Sequence, residues 1–158
     1  MDPDRILAEA ESVLSGGLPD EAALARVVDL LAAARPGWDW VGMYVLAGDT
    51  LVLGPYVGAP TEHTRIPVGV GVCGTAVARG ANIVVHDVRL LDNYLACSAA
   101  ARSELVVLIR DGGDVVGQFD VDSDTIGAFG SDDEALLERL AALAAPRCRR
   151  LAAGAAGP

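Results

Sequence analysis

Apolar residues recur at helical spacing at two places near the start of the chain. From Pro3 to Leu14 the apolar positions are Ile6, Leu7, Ala10, Val13 and Leu14, a stripe along one helix face closed by Gly16-Gly17. A second helix follows, with Asp20 as its expected cap, Leu24, Val27, Val28 and Leu31 as its buried stripe, and Pro36-Gly37 as its stop. The pattern then turns to strands: Trp38 to Leu46, Thr50 to Val57 and the short Ile83 to Val85. Gly69-Val70-Gly71-Val72-Cys73-Gly74 reads as a tight turn entering a short helix over Thr75 to Arg79. His86 to Ala101 has no clear period and reads as a long loop, a kind of segment that often carries function. Ser103 to Arg110 and Val115 to Asp122 form the clearest hairpin, turned at Asp111-Gly112-Gly113-Asp114. A closing helix starts at a Ser131 cap with Glu134 at the capping-box position. Leu136, Leu137, Leu140 and Leu143 form its inner face, and Pro146 is expected to bend or end it.

This order predicts an α+β domain with a central, mostly antiparallel sheet flanked by helices. One domain over 1–151 accounts for it: helices in 3–34, a sheet core in 38–123, a last helix in 131–151, and a frayed tail from 152 to 158. The 52% of hydrophobic residues suffices for a core. Net charge is −10, and all twelve basic residues are Arg. Such a surface argues against nucleic acid and against anionic membranes as partners. No apolar run approaches a membrane span, and the acidic N-terminus does not resemble a signal peptide. A cytoplasmic location is therefore expected, where cysteines stay reduced.

Cys73 in the glycine-rich turn is either a small packing residue or a redox-active thiol at a helix N-terminus. Cys97 lies in the long loop, which favours reactivity. Cys148, between Arg147 and Arg149, reads as a surface bystander. In the second hairpin strand, Val115, Gly117, Phe119 and Val121 alternate with Gln118, Asp120 and Asp122, which places two carboxylates on one face. A plain two-residue turn at Gly112-Gly113 sets Glu104 on the wrong face to join them, whereas a one-residue bulge in the glycine pair brings the three acids together. Trp38, Trp40, Gly42 and Tyr44 share a face by parity and are either core or an apolar ligand wall. Asp120-Val121-Asp122-Ser123-Asp124 does not continue as a calcium loop, since Thr125 and Ser131 stand where Gly and Glu are needed. His63 and His86 are far apart in sequence and there is no Cys-x-x-Cys pair. No metal and no cofactor are expected.

Trp40-Val41-Gly42-Met43-Tyr44, Leu53-Gly54-Pro55-Tyr56, Arg65-Ile66-Pro67, Gly71-Val72-Cys73-Gly74-Thr75-Ala76, Asp87-Val88, Ala96-Cys97, Ser103-Glu104-Leu105-Val106-Val107 and Phe119-Asp120-Val121-Asp122-Ser123 occur in order. Together, from Trp38 to the last helix, they resemble the GAF-domain free methionine-(R)-sulfoxide reductases. The resemblance implies a GAF fold and reduction of the free amino acid sulfoxide. It implies that Cys97 attacks the sulfur and that Glu104, Asp120 and Asp122 line the pocket. It implies further that Trp40 and Tyr44 enclose the methyl-thio end, and that a homodimer is recycled by a thioredoxin-type reductant. His63 stands where the family usually has a resolving cysteine, so resolution falls to Cys73 or to an external thiol. Asp92-Asn93-Tyr94-Leu95 also differs from the usual Pro-Gly-His-Ile. A GAF module that binds a ligand or senses redox state without turnover is the alternative reading.

Overall fold

A computed structural model describes residues 1–91 and 100–155. Two helices, α1 (Pro3–Leu14) and α2 (Asp20–Ala34), precede the strands β1 (Trp40–Ala47), β2 (Thr50–Val57) and β3 (Arg65–Pro67). Helix α3 (Gly71–Arg79), β4 (Ile83–Val85), a 3-10 turn (Val88–Leu90), β5 (Ser103–Asp111), β6 (Asp114–Ser123) and α4 (Ser131–Ala155) complete the order. The strands form one six-stranded sheet in the order β3-β2-β1-β6-β5-β4, and every pairing is antiparallel. Short hairpins explain the neighbours β1-β2 and β5-β6, while β1 and β6 meet only through tertiary folding.

Burial divides the sheet into two faces. On one, α1, α2 and α4 pack over Val41, Met43, Val45, Leu105, Val107, Ile109, Phe119 and Val121. The helical stripes read from sequence supply their side of this core, with Ile6, Leu24, Leu31, Leu137 and Leu140 all fully buried. On the other face, α3 covers a smaller cluster that includes Trp40, Tyr44, Leu51, Ile66, Val106 and Leu108. The site lies on this second face.

Several local expectations are corrected by packing. Asp20 is the first residue of α2 rather than its cap, and its carboxylate accepts from Arg147 and Arg150. Helix α4 is capped one residue early: Asp133 Oδ2 accepts from the Gly130 N–H at 2.9 Å, and Glu134 instead meets Asn82. Helix α3 starts at Gly71, four residues before the expected Thr75. Pro146 does not end α4, which runs to Ala155, so residues 152–155 of the expected tail are helical and Ala152 is buried. The turns beyond the proline persist because Cys148 and Ala152 bury their side chains in the helix-face core.

Trp38 separates from Trp40. It precedes β1, so strand parity does not reach it, and its ring packs 5.7 Å from Phe129 on the helix face. Cys148 is fully buried, and burial pushes its thiol up to about 12. Its Sγ faces the Val116 carbonyl at 3.4 Å and lies under Gly117. A Cβ at Gly117 would meet Cys148 Sγ at 2.7 Å and would collide with the Tyr44 carbonyl. Gly117→Ala is therefore expected to destabilise the fold by about 1–3 kcal/mol. Urea unfolding measures this, and an unchanged midpoint would show that β1 and α4 can yield there.

Candidate active site

The hairpin β5-β6 builds the acidic centre. Its turn is a plain two-residue one, with Asp111 opposite Asp114 and both glycines at positive φ (60° and 91°). The bulge exists, but it lies beyond the glycine pair: Arg110 pairs with Val115 and Ile109 with Gly117, leaving Val116 as the extra residue. This one slip sets Glu104 opposite Asp122 and Val106 opposite Asp120. It also sends Val115 to the face opposite Gly117, Phe119 and Val121, contrary to simple alternation.

Glu104, Asp120 and Asp122 are each at most 1% exposed. Burial, then the carboxylates of Asp120 and Asp122, push the Glu104 carboxyl well above the ordinary range. Burial, then Asp120 and Asp124, push the Asp122 carboxyl in the same direction. Both Asp122 oxygens are buried without a hydrogen-bond partner among the described residues. Burying such a group without compensation is costly, so the pocket is built to receive a cation or a proton.

Cys73 enters this cluster from α3. Gly74 makes that possible, because a Cβ there would lie 2.5 Å from the Pro67 carbonyl and push the helix off β3. Cys73 occupies the first turn of α3, is buried, and its thiol donates to Glu104 Oε1 at 3.8 Å. Sequence reading placed Gln118 on the acid face without a role. Its Nε2 donates to the Cys73 carbonyl at 3.4 Å, a contact across 45 residues with no local signal. The donor atoms of Cys73, Glu104 and Asp120 all lie within 4.8 Å of one another.

Trp40 and Tyr44 border the acids from β1, with Trp40 opposite Asp122 and Gly42 opposite Asp120. The Trp40 indole lies across Gly42, where a Cβ would meet it at 2.6 Å, and stacks on Tyr56 with centroids 5.2 Å apart. Both aromatic residues are fully buried, and their polar ends hold the loop between β2 and β3. Trp40 Nε1 donates to the Ala59 carbonyl at 3.1 Å and the Tyr44 hydroxyl to the His63 carbonyl at 2.8 Å. His63 is half-buried and His86 exposed; neither belongs to the acid cluster.

Cys97 lies outside the described residues. The described ends of its segment are anchored: Leu91 lines an apolar groove of about 240 Å³ with Gly71 and Val72, and the Arg102 carbonyl accepts from the Val88 N–H at 2.7 Å. Arg102 is two residues from Glu104, so the segment returns to the sheet beside the acids.

A GAF domain family model matches residues 20–146. The chain is 40% identical over 131 residues to the free methionine-R-sulfoxide reductase of Escherichia coli, covering 83% of this chain and 79% of that one. The chain belongs to the GAF-domain free methionine-(R)-sulfoxide reductase family. Among family structures, the Neisseria meningitidis free methionine-R-sulfoxide reductase in complex with its substrate superposes with a TM-score of 0.86 at 38% identity, over 95% of this chain and 91% of that one. The Staphylococcus aureus reductase in reduced form superposes with a TM-score of 0.85 at 31% identity, over 93% and 95%. The GAF fold expected from the sequence is thus the fold of this chain. No helix among the described residues is long and apolar enough to cross a membrane.

Proposed function

We propose that this chain reduces free L-methionine-(R)-S-oxide to L-methionine. The observation that carries the reading is the buried triad Glu104, Asp120 and Asp122 beside Cys73 on the sheet face that α3 covers. The substrate supplies what this pocket lacks: an ammonium group for the carboxylates and a sulfoxide oxygen that needs a proton. Glu104, its carboxyl pushed well above the ordinary range by burial and by its acidic neighbours, is suited to give that proton. Trp40 and Tyr44 border the acids and close the methyl-thio end.

The Cys97 thiolate attacks the sulfoxide sulfur while Glu104 protonates the sulfoxide oxygen. As the S–O bond breaks, the oxygen passes to Cys97 as a sulfenic acid and methionine leaves as the reduced thioether. The Cys73 thiol then attacks the sulfenic sulfur, forming a disulfide and water. A dithiol protein of the thioredoxin type reduces that disulfide and regenerates both thiols. The buried Cys73 thiol, already in contact with the proton donor, is suited to this resolving role in a chain with His63 at the usual resolving position. The working unit is a homodimer in the cytoplasm.

Turnover of each sulfoxide epimer with dithiothreitol tests the reading in wild type, Cys97→Ser and Cys73→Ser chains. Wild type is expected to consume only the free R epimer, and Cys97→Ser to lose turnover entirely. Cys73→Ser, treated with the sulfoxide in the absence of dithiothreitol, is expected to accumulate the Cys97 sulfenic acid, trapped by dimedone and seen by mass spectrometry. Full activity in Cys97→Ser would overturn the assignment of the nucleophile. No turnover in wild type would leave a GAF module that binds its ligand without chemistry.

A further inference from the structure

The three donors of the acid cluster come from three elements: Cys73 from α3, Glu104 from β5 and Asp120 from β6. No spacing along the chain reveals them as a set, since they are residues 73, 104 and 120. In space their ligand atoms fall within 4.8 Å of one another and all three side chains are buried. One soft sulfur and two carboxylate oxygens form a donor set that zinc accepts, with zinc–sulfur and zinc–oxygen bonds of about 2.3 and 2.1 Å, and that the larger, softer cadmium also accepts. A second observation also points to a cation. Asp122, opposite Glu104 on the same sheet face, buries both carboxylate oxygens with no hydrogen-bond partner among the described residues.

We propose that Cys73, Glu104 and Asp120 bind one thiophilic divalent cation, such as zinc, which excludes the sulfoxide and so inhibits the reductase reversibly. Its inhibitory part rests on the function proposed above; the binding site itself does not. Binding converts the Cys73 S–H into a metal–sulfur bond and releases that proton to solvent, together with any proton held by the carboxyls. The metal stays divalent and nothing is oxidised. Two negative carboxylates and a thiolate offset its charge, and Asp122 supplies further negative charge beside it. The same carboxylates that receive the substrate ammonium are then occupied, which makes metal and substrate mutually exclusive.

Cadmium titration of the reduced, metal-free protein tests this through the ultraviolet thiolate-to-cadmium charge-transfer band. One equivalent per chain is expected, with proton release in unbuffered solution. Cys73→Ser should abolish the band, and Asp120→Asn should weaken binding at least about tenfold. Cys148→Ser, altered on the opposite face of the sheet, should keep it. Zinc should suppress sulfoxide turnover and a chelator should restore it. No band in wild type, or a band that survives in Cys73→Ser, overturns the site. A band without turnover in the metal-free protein would instead count against the reductase reading and leave the metal site standing.

Discussion

Glu104→Gln is expected to lower sulfoxide turnover by about a hundredfold to ten-thousandfold, the usual worth of a positioned general acid, while leaving the fold at least as stable. Gln has the shape of the neutral acid but no proton to give. The stability side follows from linkage. Glu104 and Asp122 have carboxyls raised above their unfolded values, so the folded chain holds protons that the unfolded chain has already released. Their contribution is therefore greatest at low pH, below the unfolded values, and is lost as pH rises through the raised folded ones. The wild-type melting temperature should fall as pH rises from the ordinary carboxylate range into the alkaline range, with other groups held equal. Glu104→Gln should match wild type at the acid end and exceed it by about 2–4 °C per kcal/mol relieved at the alkaline end. Calorimetry across this range, paired with steady-state turnover, checks both halves. A Glu104→Gln chain with wild-type turnover would remove Glu104 as the proton donor. One that melts lower than wild type at alkaline pH would show that the carboxylate is compensated rather than strained.

Arg147→Met is expected to destabilise the fold by about 3–5 kcal/mol, the cost of removing one partner of a buried charged network. The side chain is nearly buried on the last helix and reaches back to the α1-α2 connection. Nε donates to the Leu14 carbonyl at 2.9 Å, Nη2 to Gly16 at 2.9 Å, and Nη1 to Leu18 at 2.7 Å and Asp20 Oδ1 at 3.1 Å. Three carbonyls lose their guanidinium donor together in the variant. A cation beside the carbonyl end of α1 also complements that helix's dipole. Arg150 pairs with the same Asp20 from an exposed position, so Arg150→Met should cost under about 1 kcal/mol. Urea denaturation of both variants makes the comparison, and equal losses would show that Asp20, not the carbonyl staple, carries the effect.

Wherever the physics is local, the sequence by itself determined the outcome. Helix α1 spans Pro3–Leu14 as its stripe predicts, and β2 and β4 keep their boundaries, because side-chain period and turn residues decide them within a few positions. The parity of Asp120 and Asp122 on one face was legible for the same reason. The presence of Glu104 in their cluster was legible only as a condition on a bulge. The tertiary structure put that bulge at Val116, where Gly117 must slip between β1 and α4 with no room for a side chain. Cys148 looked exposed because its flanking arginines are charged. Helix phase turns Arg147 to the α1-α2 loop and Arg149 to Asp111 and Asp114, and leaves Cys148 facing the sheet. Trp38 and Trp40, two residues apart, ended on opposite faces because the first precedes the strand that holds the second. The contacts of Cys73 with Glu104 and with Gln118 span 31 and 45 residues and join α3 to the hairpin β5-β6. Only the packing of α3 through Gly74 onto β3 decides them, since such contacts depend on where whole elements sit and not on the order of neighbours along the chain.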